Sequence, residues 1–437
     1  MTRLALLGGE PLLTPAERPR WPHITEGDIE AVTALLRRGE ITYNGSEGEV
    51  QALENGYRQR LGAAHALAVS SGTSALHSAF FGLDLRPGDE VIAPAYTFLA
   101  TAMPVFACNG VPVLADVDPD TGILDPDGLA AHLTPRTRAI VVTHLMGFPA
   151  DMERVTAFAR EHGLAVVEDC SQAHGAECSG RPVGRHGDVA AFSLQAKKQV
   201  TAGEGGILVT DDRRVYERAV MLGHCIDRGE EDVTSEEYRA YGRTGFGLNY
   251  RIHPVGAALA RGALSRLDTV LDGREKNYDR LGNLLRDIPG IAPPVRQKHV
   301  DRVAHYVSYQ PLYIAEELGG LPVDVFTAAA RAEGVPLTRP TSPPLHREAA
   351  FRSPSWHPGT YHPGDNTYRR YRGDEFPGVD AYLSRALRLP VYSDERPDLM
   401  DAWAEGIGKV VDNAAELRDQ HAAGALTARG PAPTGQP

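Results

Sequence analysis

The chain has 437 residues, 42% of them hydrophobic and 23% charged, which is an ordinary globular composition and enough chain for two lobes. The formal net charge of -12 argues against nonspecific binding to nucleic acid. No apolar run approaches the ~18 residues that a membrane span needs, and no secretion signal is recognisable. The four cysteines lack CxxC spacing, so we expect a reduced, cytoplasmic protein with no metal site.

The first predicted elements in chain order are two helices. Thr25 and Asp28 form a capping pattern before a helix that ends at Gly39, and a second helix runs from Glu49 to Leu61. Seven short apolar strands then alternate with helical segments, which predicts a largely parallel sheet covered on both faces. The predicted strands are residues 66–70, 90–93, 111–117, 138–144, 164–168, 189–193 and 206–210. The predicted helices among them are residues 74–82, 152–161 and 212–221.

The second half of the chain has a different pattern. A long helical pattern from Val255 to about Arg286 should lead out of the sheet. We expect a large domain over residues 1–270, a smaller α+β domain over residues 271–419 that finishes in a helix around 396–418, and a disordered tail over residues 420–437. Residues 347–376 are crowded with Pro, His, Arg and Tyr and predict a long loop.

One segment carries the clearest chemical signal. Residues 193–206 read SLQAKKQVTAGEGG, and Asp169 ends a predicted strand 29 positions before Lys198. A lysine among hydroxyls and glycines, with a carboxylate at a strand end, is the set that pyridoxal phosphate (PLP) requires: an amine for its aldehyde, an anion for its ring nitrogen and short donors for its phosphate. Taken alone, Asp169 could equally be a helix cap.

A second candidate segment follows the first predicted strand. Gly72, Thr73 and Ser74 open a helix there, and free amide groups at a helix start suit a phosphate dianion. This segment, Asp169 and the residues after Ser193 all fall at or just beyond the carboxyl ends of predicted strands. Ligands gather at that edge of a parallel sheet, so we expect these residues to meet there.

With these motifs the chain resembles the DegT/DnrJ/StrS family of sugar and aminocyclitol aminotransferases, a branch of the fold-type I PLP enzymes. The resemblance extends from the LLGG segment at residues 6–9 to about Pro390 and is most specific at residues 193–206. It implies an α/β fold with a large PLP-binding domain, built on a mostly parallel seven-stranded sheet covered by helices. A smaller α+β C-terminal domain completes the implied fold.

The resemblance also implies roles for individual residues. The family's lysine stands five residues before the first glycine of the Gly-Glu-Gly-Gly run, which selects Lys198 over Lys197 as the residue that binds the aldehyde and carries the proton. Asp169 would pair with the ring nitrogen and Gln172 would contact the ring hydroxyl. The implied cofactor-binding set is completed by Gly72, Thr73, Ser74, Phe98, Ser193, Gln195 and Asn249. The implied substrate-binding residues are Tyr43, Arg251 and His346.

The function implied is transfer of an amino group from glutamine or glutamate, through pyridoxamine phosphate, to a keto-cyclitol or keto-sugar in antibiotic-type secondary metabolism. The leader segment and Gln195 resemble the aminocyclitol (scyllo-inosose type) and aminohydroxybenzoate branch. A nucleotide-linked keto-sugar aminotransferase and a dehydratase similar to aminohydroxybenzoate synthase stay open as alternatives. The implied partners are small molecules, with neither nucleic acid nor membrane. The implied assembly is a homodimer with shared active sites, to which Asn249 and Arg251 contribute across the interface.

Overall fold

The computed structural model of the chain describes residues 3–14, 19–42, 47–353 and 371–426. Its strands are β1 (His65–Val69), β2 (Glu90–Pro94), β3 (Val111–Ala115), β4 (Thr137–Thr143), β5 (Ala165–Asp169), β6 (Glu177–Cys178), β7 (Arg181–Pro182), β8 (Val189–Ser193), β9 (Gly206–Thr210), β10 (Ile291–Ala292), β11 (Val300–Arg302), β12 (Ser308–Tyr309), β13 (Leu312–Tyr313) and β14 (Leu389–Pro390). Seven of these strands form the central sheet in the order β1-β9-β8-β5-β4-β2-β3. The remaining strands pair in three small sheets.

The α-helices of the described residues are α1 (Glu26–Arg38), α2 (Gly48–Leu61), α3 (Gly72–Gly82), α4 (Met103–Ala107), α5 (Met152–His162), α6 (Arg213–Gly223), α7 (Asp227–Asp232), α8 (Pro254–Ser265), α9 (Leu267–Leu285), α10 (Val323–Ala332), α11 (Ala349–Arg352), α12 (Pro377–Arg385), α13 (Pro397–Asp412) and α14 (Ala414–Ala422). The predicted capping box of α1 is present between Thr25 and Asp28, and Gly39 ends the helix with a φ of 72°. None of these helices is both long and apolar enough to cross a bilayer.

The central sheet is mostly parallel, as predicted. Strands β3, β2, β4, β5 and β8 run in one direction, and β9 runs antiparallel to both of its neighbours, β8 and β1. All seven predicted strands lie within two residues of their expected bounds. The carboxyl ends of β4, β5 and β8 therefore meet at one edge, where Thr143, Asp169 and Ser193 are the last strand residues.

Apolar side chains cover both faces of the sheet. In β1, Leu67 and Val69 join one buried cluster together with Phe80 of α3, whereas Ala66 and Ala68 join another on the opposite face. This alternation is the period of two that a strand imposes on its side chains. Burial on both faces explains why the strand segments read as continuous apolar runs rather than as alternating ones.

A separate core holds the C-terminal part together. Trp403 of α13, Tyr278 of α9 and Phe326 of α10 are among its largest members. Leu4 is fully buried in the same cluster, so the N-terminal segment, which we expected in the large domain, packs against this core. The carboxylate of Glu333 fixes it there by accepting from the backbone N–H groups of two residues in that segment.

The long helix expected from Val255 to about Arg286 is wrong in one respect, because the structure has two helices, α8 and α9, that meet at Arg266. The backbone of Arg266 leaves the helical region, with φ -101° and ψ 1°, while its guanidinium binds both carboxylate oxygens of Asp28 in α1 at 3.1 and 2.7 Å. Leu264 of α8 packs in the sheet cluster and Leu281 of α9 in the C-terminal core. The break thus lets the chain pass from one core to the other.

The other C-terminal predictions have mixed outcomes. The helix expected around residues 396–418 is also divided in two, α13 and α14, because Asn413 leaves helical geometry and its side-chain amide donates to the Lys409 carbonyl at 2.7 Å. Helix α14 continues to Ala422, three residues into the expected tail, and residues 427–437 lie outside the described part. In the expected loop 347–376, α11 is helical and residues 354–370 lie outside the described part.

The burial of the sheet generates a stability prediction. Leu208 of β9 is fully buried, and we expect Leu208→Ala to lower the free energy of unfolding by about 2–5 kcal/mol, because it removes packed methyl groups and leaves a cavity. Leu36→Ala is the matched control, since Leu36 is 58% exposed, and should change stability by under about 1 kcal/mol. Urea denaturation followed by circular dichroism measures both. Equal losses in the two variants would contradict the assigned burial.

Candidate active site

A cavity of about 530 Å³ opens at the carboxyl edge of the sheet. Its walls come from the N-terminus of α3, the segment after β2, the ends of β5 and β8, and three C-terminal segments around residues 306–310, 340–342 and 388. Eight of the residues predicted for the site line it: Gly72, Thr73, Phe98, Asp169, Gln172, Ser193, Gln195 and Lys198. The structure thus brings together residues that are up to 126 positions apart in the chain.

Asp169, the last residue of β5, is buried at the base of this cavity. Its Oδ2 accepts a hydrogen bond from Thr101 Oγ1 at 2.7 Å and its Oδ1 accepts from the Ser171 backbone N–H at 3.1 Å. Thr101 in turn contacts the hydroxyls of Thr97 and Thr143, at 2.9 and 3.2 Å. The carboxylate is therefore held by a buried cluster of hydroxyl groups, and no cationic side chain of the described residues pairs with it.

Glu168, the residue before Asp169 in β5, accepts more hydrogen bonds than Asp169 does. Glu168 is fully buried and accepts hydrogen bonds from the backbone N–H groups of Gly184, His186 and Gly187 and from the His144 ring. Burial alone would raise the pKa of Glu168, but these hydrogen bonds lower it to about 2. His144 Nδ1 accepts from the Ala150 N–H, so His144 Nε2 carries the proton and donates to Glu168. These hydrogen bonds anchor β5 beneath the cavity.

Lys198 lies in the loop that joins β8 to β9. Two backbone hydrogen bonds close this loop, from Leu194 N–H to Gly205 and from Ala202 N–H to Leu194. The Lys198 amine donates to the hydroxyl of Tyr306 at 2.8 Å. Burial lowers the pKa of Lys198 to about 8, while the nearby Asp169 carboxylate opposes this shift and the charge of Lys197 adds to it. Lys198 is thus a lysine that can be neutral at physiological pH.

The N-terminus of α3 approaches β8 very closely. A Cβ placed on Gly72 would lie 2.6 Å from the Cβ of Ser193, so a larger residue would push the helix away. Thr73 and the Ser193 hydroxyl line the cavity beside the free end of the helix. The Ser74 hydroxyl accepts from the Ser71 N–H at 2.8 Å as part of the capping box, and Ser74 is not part of the cavity lining, so its role towards a cofactor stays a prediction.

Three other predicted residues line the cavity, namely Gln172, Phe98 and Gln195. Gln172 Oε1 accepts from the Met146 N–H at 2.8 Å, which leaves its side-chain NH₂ group without a partner among the described residues. Phe98 exposes 62% of its surface, so it is not a core aromatic. Gln195 Oε1 accepts from the Lys197 N–H at 2.8 Å. An exposed ring beside a cavity is available for stacking on a planar ligand.

Besides Ser74, three predicted residues that the structure describes, Asn249, Arg251 and His346, are not part of the cavity lining. Asn249 and Arg251 pair with His224 and Val69 in isolated bridges, outside the cavity lining. His346 is fully buried against Phe376, with a ring separation of 4.7 Å, and neither of its ring nitrogens has a partner in the described structure. Tyr43 lies outside the described residues.

Sequence reasoning missed Tyr306, Thr101 and Arg388, all of which lie in or directly below the cavity. The backbone of Tyr306 donates to the Met146 carbonyl at 3.0 Å, and this long-range pairing brings it to Lys198. No local motif predicts such a pairing. For Thr101, the run of hydroxyls at residues 97 and 101, four positions apart, was a weak signal that could have been noticed.

The lowered pKa of Lys198 leads to a prediction about the pH at which its amine reacts. In the cofactor-free protein, acylation of Lys198 should show a midpoint near pH 8, well below the 10.5 of an ordinary lysine. Asp169→Asn should lower the midpoint further, because removing a negative charge disfavours the ammonium form. Competitive acylation at several pH values, with mass spectrometry of the peptide, measures both. An identical midpoint in the variant would mean that the carboxylate does not act on the amine.

Comparison with known proteins confirms the resemblance. Residues 22–402 match the DegT/DnrJ/EryC1/StrS aminotransferase family. The chain is 36% identical over 361 residues to L-glutamine:scyllo-inosose aminotransferase of Streptomyces griseus, covering 80% of this chain and 84% of that one. It is also 36% identical over 356 residues to L-glutamine:2-deoxy-scyllo-inosose aminotransferase of Streptomyces kanamyceticus, covering 78% of this chain and 81% of that one.

Among solved structures, 3-amino-5-hydroxybenzoic acid synthase is similar with a TM-score of 0.74 and 30% identity, covering 92% of this chain and 100% of that one. The chain is therefore an aminotransferase that belongs to the DegT/DnrJ/EryC1/StrS family.

Proposed function

We propose that this aminotransferase binds PLP in the cavity around Lys198 and moves the amino group of glutamine to the ketone of a keto-cyclitol. The observation that carries the proposal is that the Lys198 amine, the Asp169 carboxylate and the N-terminus of α3 line one cavity. An amine, an anion and an anion-binding helix end are the three groups that PLP requires. The relatives named for glutamine and scyllo-inosose support the classes of donor and acceptor.

Three further features of the cavity support PLP as its cofactor. The close approach of Gly72 to Ser193, which a Cβ would prevent, places a hydroxyl beside the free amide groups of a helix start, as a phosphate dianion needs. The hydrogen bonds from Thr101 and Ser171 hold the Asp169 carboxylate in place, where it would pair with a ring nitrogen. Phe98 offers an exposed ring for the cofactor's face.

When bound, PLP supplies an electron sink for the carbon that loses a proton. Asp169 would keep the ring nitrogen protonated, since an adjacent anion favours a protonated base. Lys198 would move the proton, because an amine with a pKa near 8 exists in both the acid and the base form near neutral pH. The hydrogen bond to Tyr306 orients this amine within the cavity.

A second candidate has a specific observation in its favour. The structural similarity to 3-amino-5-hydroxybenzoic acid synthase allows an aromatising dehydration of an amino-cyclohexene acid by the same residues. The two candidates differ in their acceptor, which is a polyhydroxylated ketone in one case and an unsaturated ring acid in the other. Incubation with the ring acid and detection of an aromatic ultraviolet band would favour the second candidate.

A donor experiment tests the proposed function. Protein loaded with PLP should have a visible absorption band that bleaches when L-glutamine is added, because transfer of the amino group converts the cofactor to pyridoxamine phosphate. Adding scyllo-inosose should then restore the band. Borohydride reduction of the loaded protein, followed by peptide mapping, should find the cofactor on Lys198.

Lys197→Ala is the matched control, since Lys197 is an exposed neighbour, and it should keep both the band and the adduct. Lys198→Ala should lose both. An adduct on Lys197, or a band that responds to no amino-acid donor, would reject the proposed function.

We further propose that the active unit is a homodimer in which Asn249 and Arg251 serve the cavity of the neighbouring subunit. Both residues lie away from the cavity of their own chain, and the segment that leads to them carries Tyr241 and Phe246, which are 59% and 66% exposed. Large exposed aromatic rings are typical of a surface that a partner covers.

Subunit mixing tests the shared site. Lys198→Ala and Asn249→Ala should each be impaired alone, because each removes one contribution to every site. A mixed dimer would carry both lesions in one site and leave the other intact. Co-refolding equal amounts should restore about a quarter of wild-type activity, since half of the dimers are mixed and each has one good site. No recovery despite proven subunit exchange would reject the model.

A further inference from the structure

Gln310 directly follows β12 in the wall of the proposed active site. Strand β12 pairs with β14 through Ser308 and Pro390, so the C-terminal core fixes the position of this segment. Gln310 is 5% exposed and lines the same cavity as Lys198. A buried amide in a cavity wall needs hydrogen-bond partners for its oxygen and for both hydrogens of its NH₂ group.

The protein supplies only part of these partners. Gln310 Oε1 accepts a hydrogen bond from the hydroxyl of Tyr382 at 2.5 Å, and its Nε2 makes one long contact of 3.4 Å to Ser308 Oγ. Burial raises the pKa of Tyr382, so the phenol keeps its proton and donates it. Because this donor holds the amide oxygen, the NH₂ group is directed away from Tyr382, and one of its hydrogens has no acceptor among the described residues.

Tyr382 itself is held from two sides. Helix α12, which carries it, begins where the Asp116 carboxylate accepts from two backbone N–H groups of the first turn, at 2.8 and 3.0 Å. A Cβ on Gly122 would lie 2.6 Å from the Tyr382 ring, so the turn at Gly122 packs directly against that ring. The Tyr382 hydroxyl is therefore a fixed donor that sets the orientation of the Gln310 amide.

A second neutral donor lies beside this pair. Tyr96 lines the cavity, and its ring packs against that of Tyr382 with 5.7 Å between the centroids. Burial raises the pKa of Tyr96 to about 12, so its hydroxyl is protonated at physiological pH, and it makes no hydrogen bond to any residue that the structure describes. Thr341 and Ser342 add two exposed hydroxyl groups to the same lining. Together with Gln310, this wall presents four neutral polar side chains to a ligand.

We propose that Gln310 and Tyr96 bind hydroxyl groups of the acceptor ring, and that Tyr382 acts through Gln310 as a positioning residue. The inference rests on the proposed function, because it concerns the molecule that receives the amino group. A keto-cyclitol is uncharged and carries hydroxyl groups on most of its ring carbons, each of which can both donate and accept. Several neutral groups on one wall match such a ring. A ketone without these hydroxyl groups would leave the buried amide unpaired and is therefore disfavoured.

The two half-reactions separate the acceptor from the donor. With the protein in its pyridoxamine form, Gln310→Leu should lower kcat/KM for band recovery with scyllo-inosose ~5- to 150-fold, the range for a polar group left unpaired in a buried place. Tyr96→Phe should lower it ~2- to 12-fold, as for the loss of one neutral hydrogen bond. The kcat/KM for bleaching by L-glutamine should stay within ~3-fold of the wild type in both variants.

Two outcomes of this comparison overturn the proposal. An equal loss with glutamine would assign these residues to the side-chain amide of the donor. Unchanged recovery with scyllo-inosose in both variants, while the wild type completes both half-reactions, would leave the proposed function intact and remove the acceptor subsite.

A double-mutant cycle tests the positioning role of Tyr382. Tyr382→Phe keeps the ring and removes the proton that holds the Gln310 oxygen, so recovery with scyllo-inosose should fall by a smaller factor than in Gln310→Leu. Added to Gln310→Leu, it should cause no further loss beyond ~2-fold, because the group through which it acts is gone. Losses that multiply would show that Tyr382 acts independently of Gln310 and would overturn this role.

Tyr313→Phe is the matched control. Tyr313 is a buried tyrosine of the C-terminal core whose hydroxyl donates to the Leu321 carbonyl at 2.6 Å, and it is not part of the cavity lining. The variant should melt at a lower temperature and keep both half-reactions within ~2-fold of the wild type. A fall in acceptor turnover equal to that of Tyr96→Phe would mean that lost stability explains the effect. Thermal melting of each variant verifies that it is folded.

Binding of an unreactive polyol gives a measurement that does not depend on amino transfer. The polyol scyllo-inositol has the hydroxylated ring of the acceptor and a hydroxyl group in place of the ketone. Calorimetry should show that it binds to the PLP-loaded wild type and binds ~5-fold or more weakly to Gln310→Leu. Unchanged affinity in this variant, or no binding to the wild type, would overturn the proposal. If the wild type restores no band with scyllo-inosose, the proposed function fails, and the affinity for the polyol still decides on Gln310.

Discussion

The cavity around Lys198 depends on two close approaches between the start of α3 and the β8–β9 hairpin that only glycine permits. A Cβ on Gly206 would lie 2.2 Å from the Ser71 carbonyl oxygen, and one on Gly72 would lie 2.6 Å from the Cβ of Ser193. These two close approaches hold the start of α3 against the β8–β9 hairpin. Because the hairpin loop carries Lys198 and the start of α3 carries Gly72 and Thr73, the amine and the helix end share one cavity. Any larger side chain at Gly72 or Gly206 would separate them.

Burial and charge act in opposite directions at the lysine. Burial lowers the pKa of Lys198 and the nearby carboxylate of Asp169 limits the effect, so the amine stays near the pH range in which it can both accept and donate a proton. The same carboxylate is itself held by Thr101, and no cationic side chain in the described part of the chain forms an ion pair with it. The carboxylate is therefore open to pair with the ring nitrogen of the proposed cofactor. Asp169 thus limits the fall in the pKa of Lys198 and, under the proposed function, would also pair with the ring nitrogen.

The sequence predicted the parts of this protein whose causes are local. The seven strands, the capping box at Thr25 and the strand-end position of Asp169 follow from patterns a few residues long. The breaks at Arg266 and Asn413 were missed, because each depends on a side chain that contacts a distant residue or its own preceding turn. Tyr306 and Arg388 were missed for the same reason: their places in the cavity arise from pairing with Met146 and Thr338. The roles of the predicted site residues remain predictions.

The residues that line the cavity come from two separate hydrophobic cores, that of the central sheet and that of the C-terminal part. Lys198 and Asp169 belong to the sheet, whereas the residues on either side of Arg388, Leu387 and Leu389, are buried in the C-terminal core. A ligand that contacts both cores links them, and because it binds only the folded chain, it raises the free energy of unfolding. We therefore expect a bound ligand to slow hydrogen exchange and proteolysis in the C-terminal helices, although these helices lie away from Lys198.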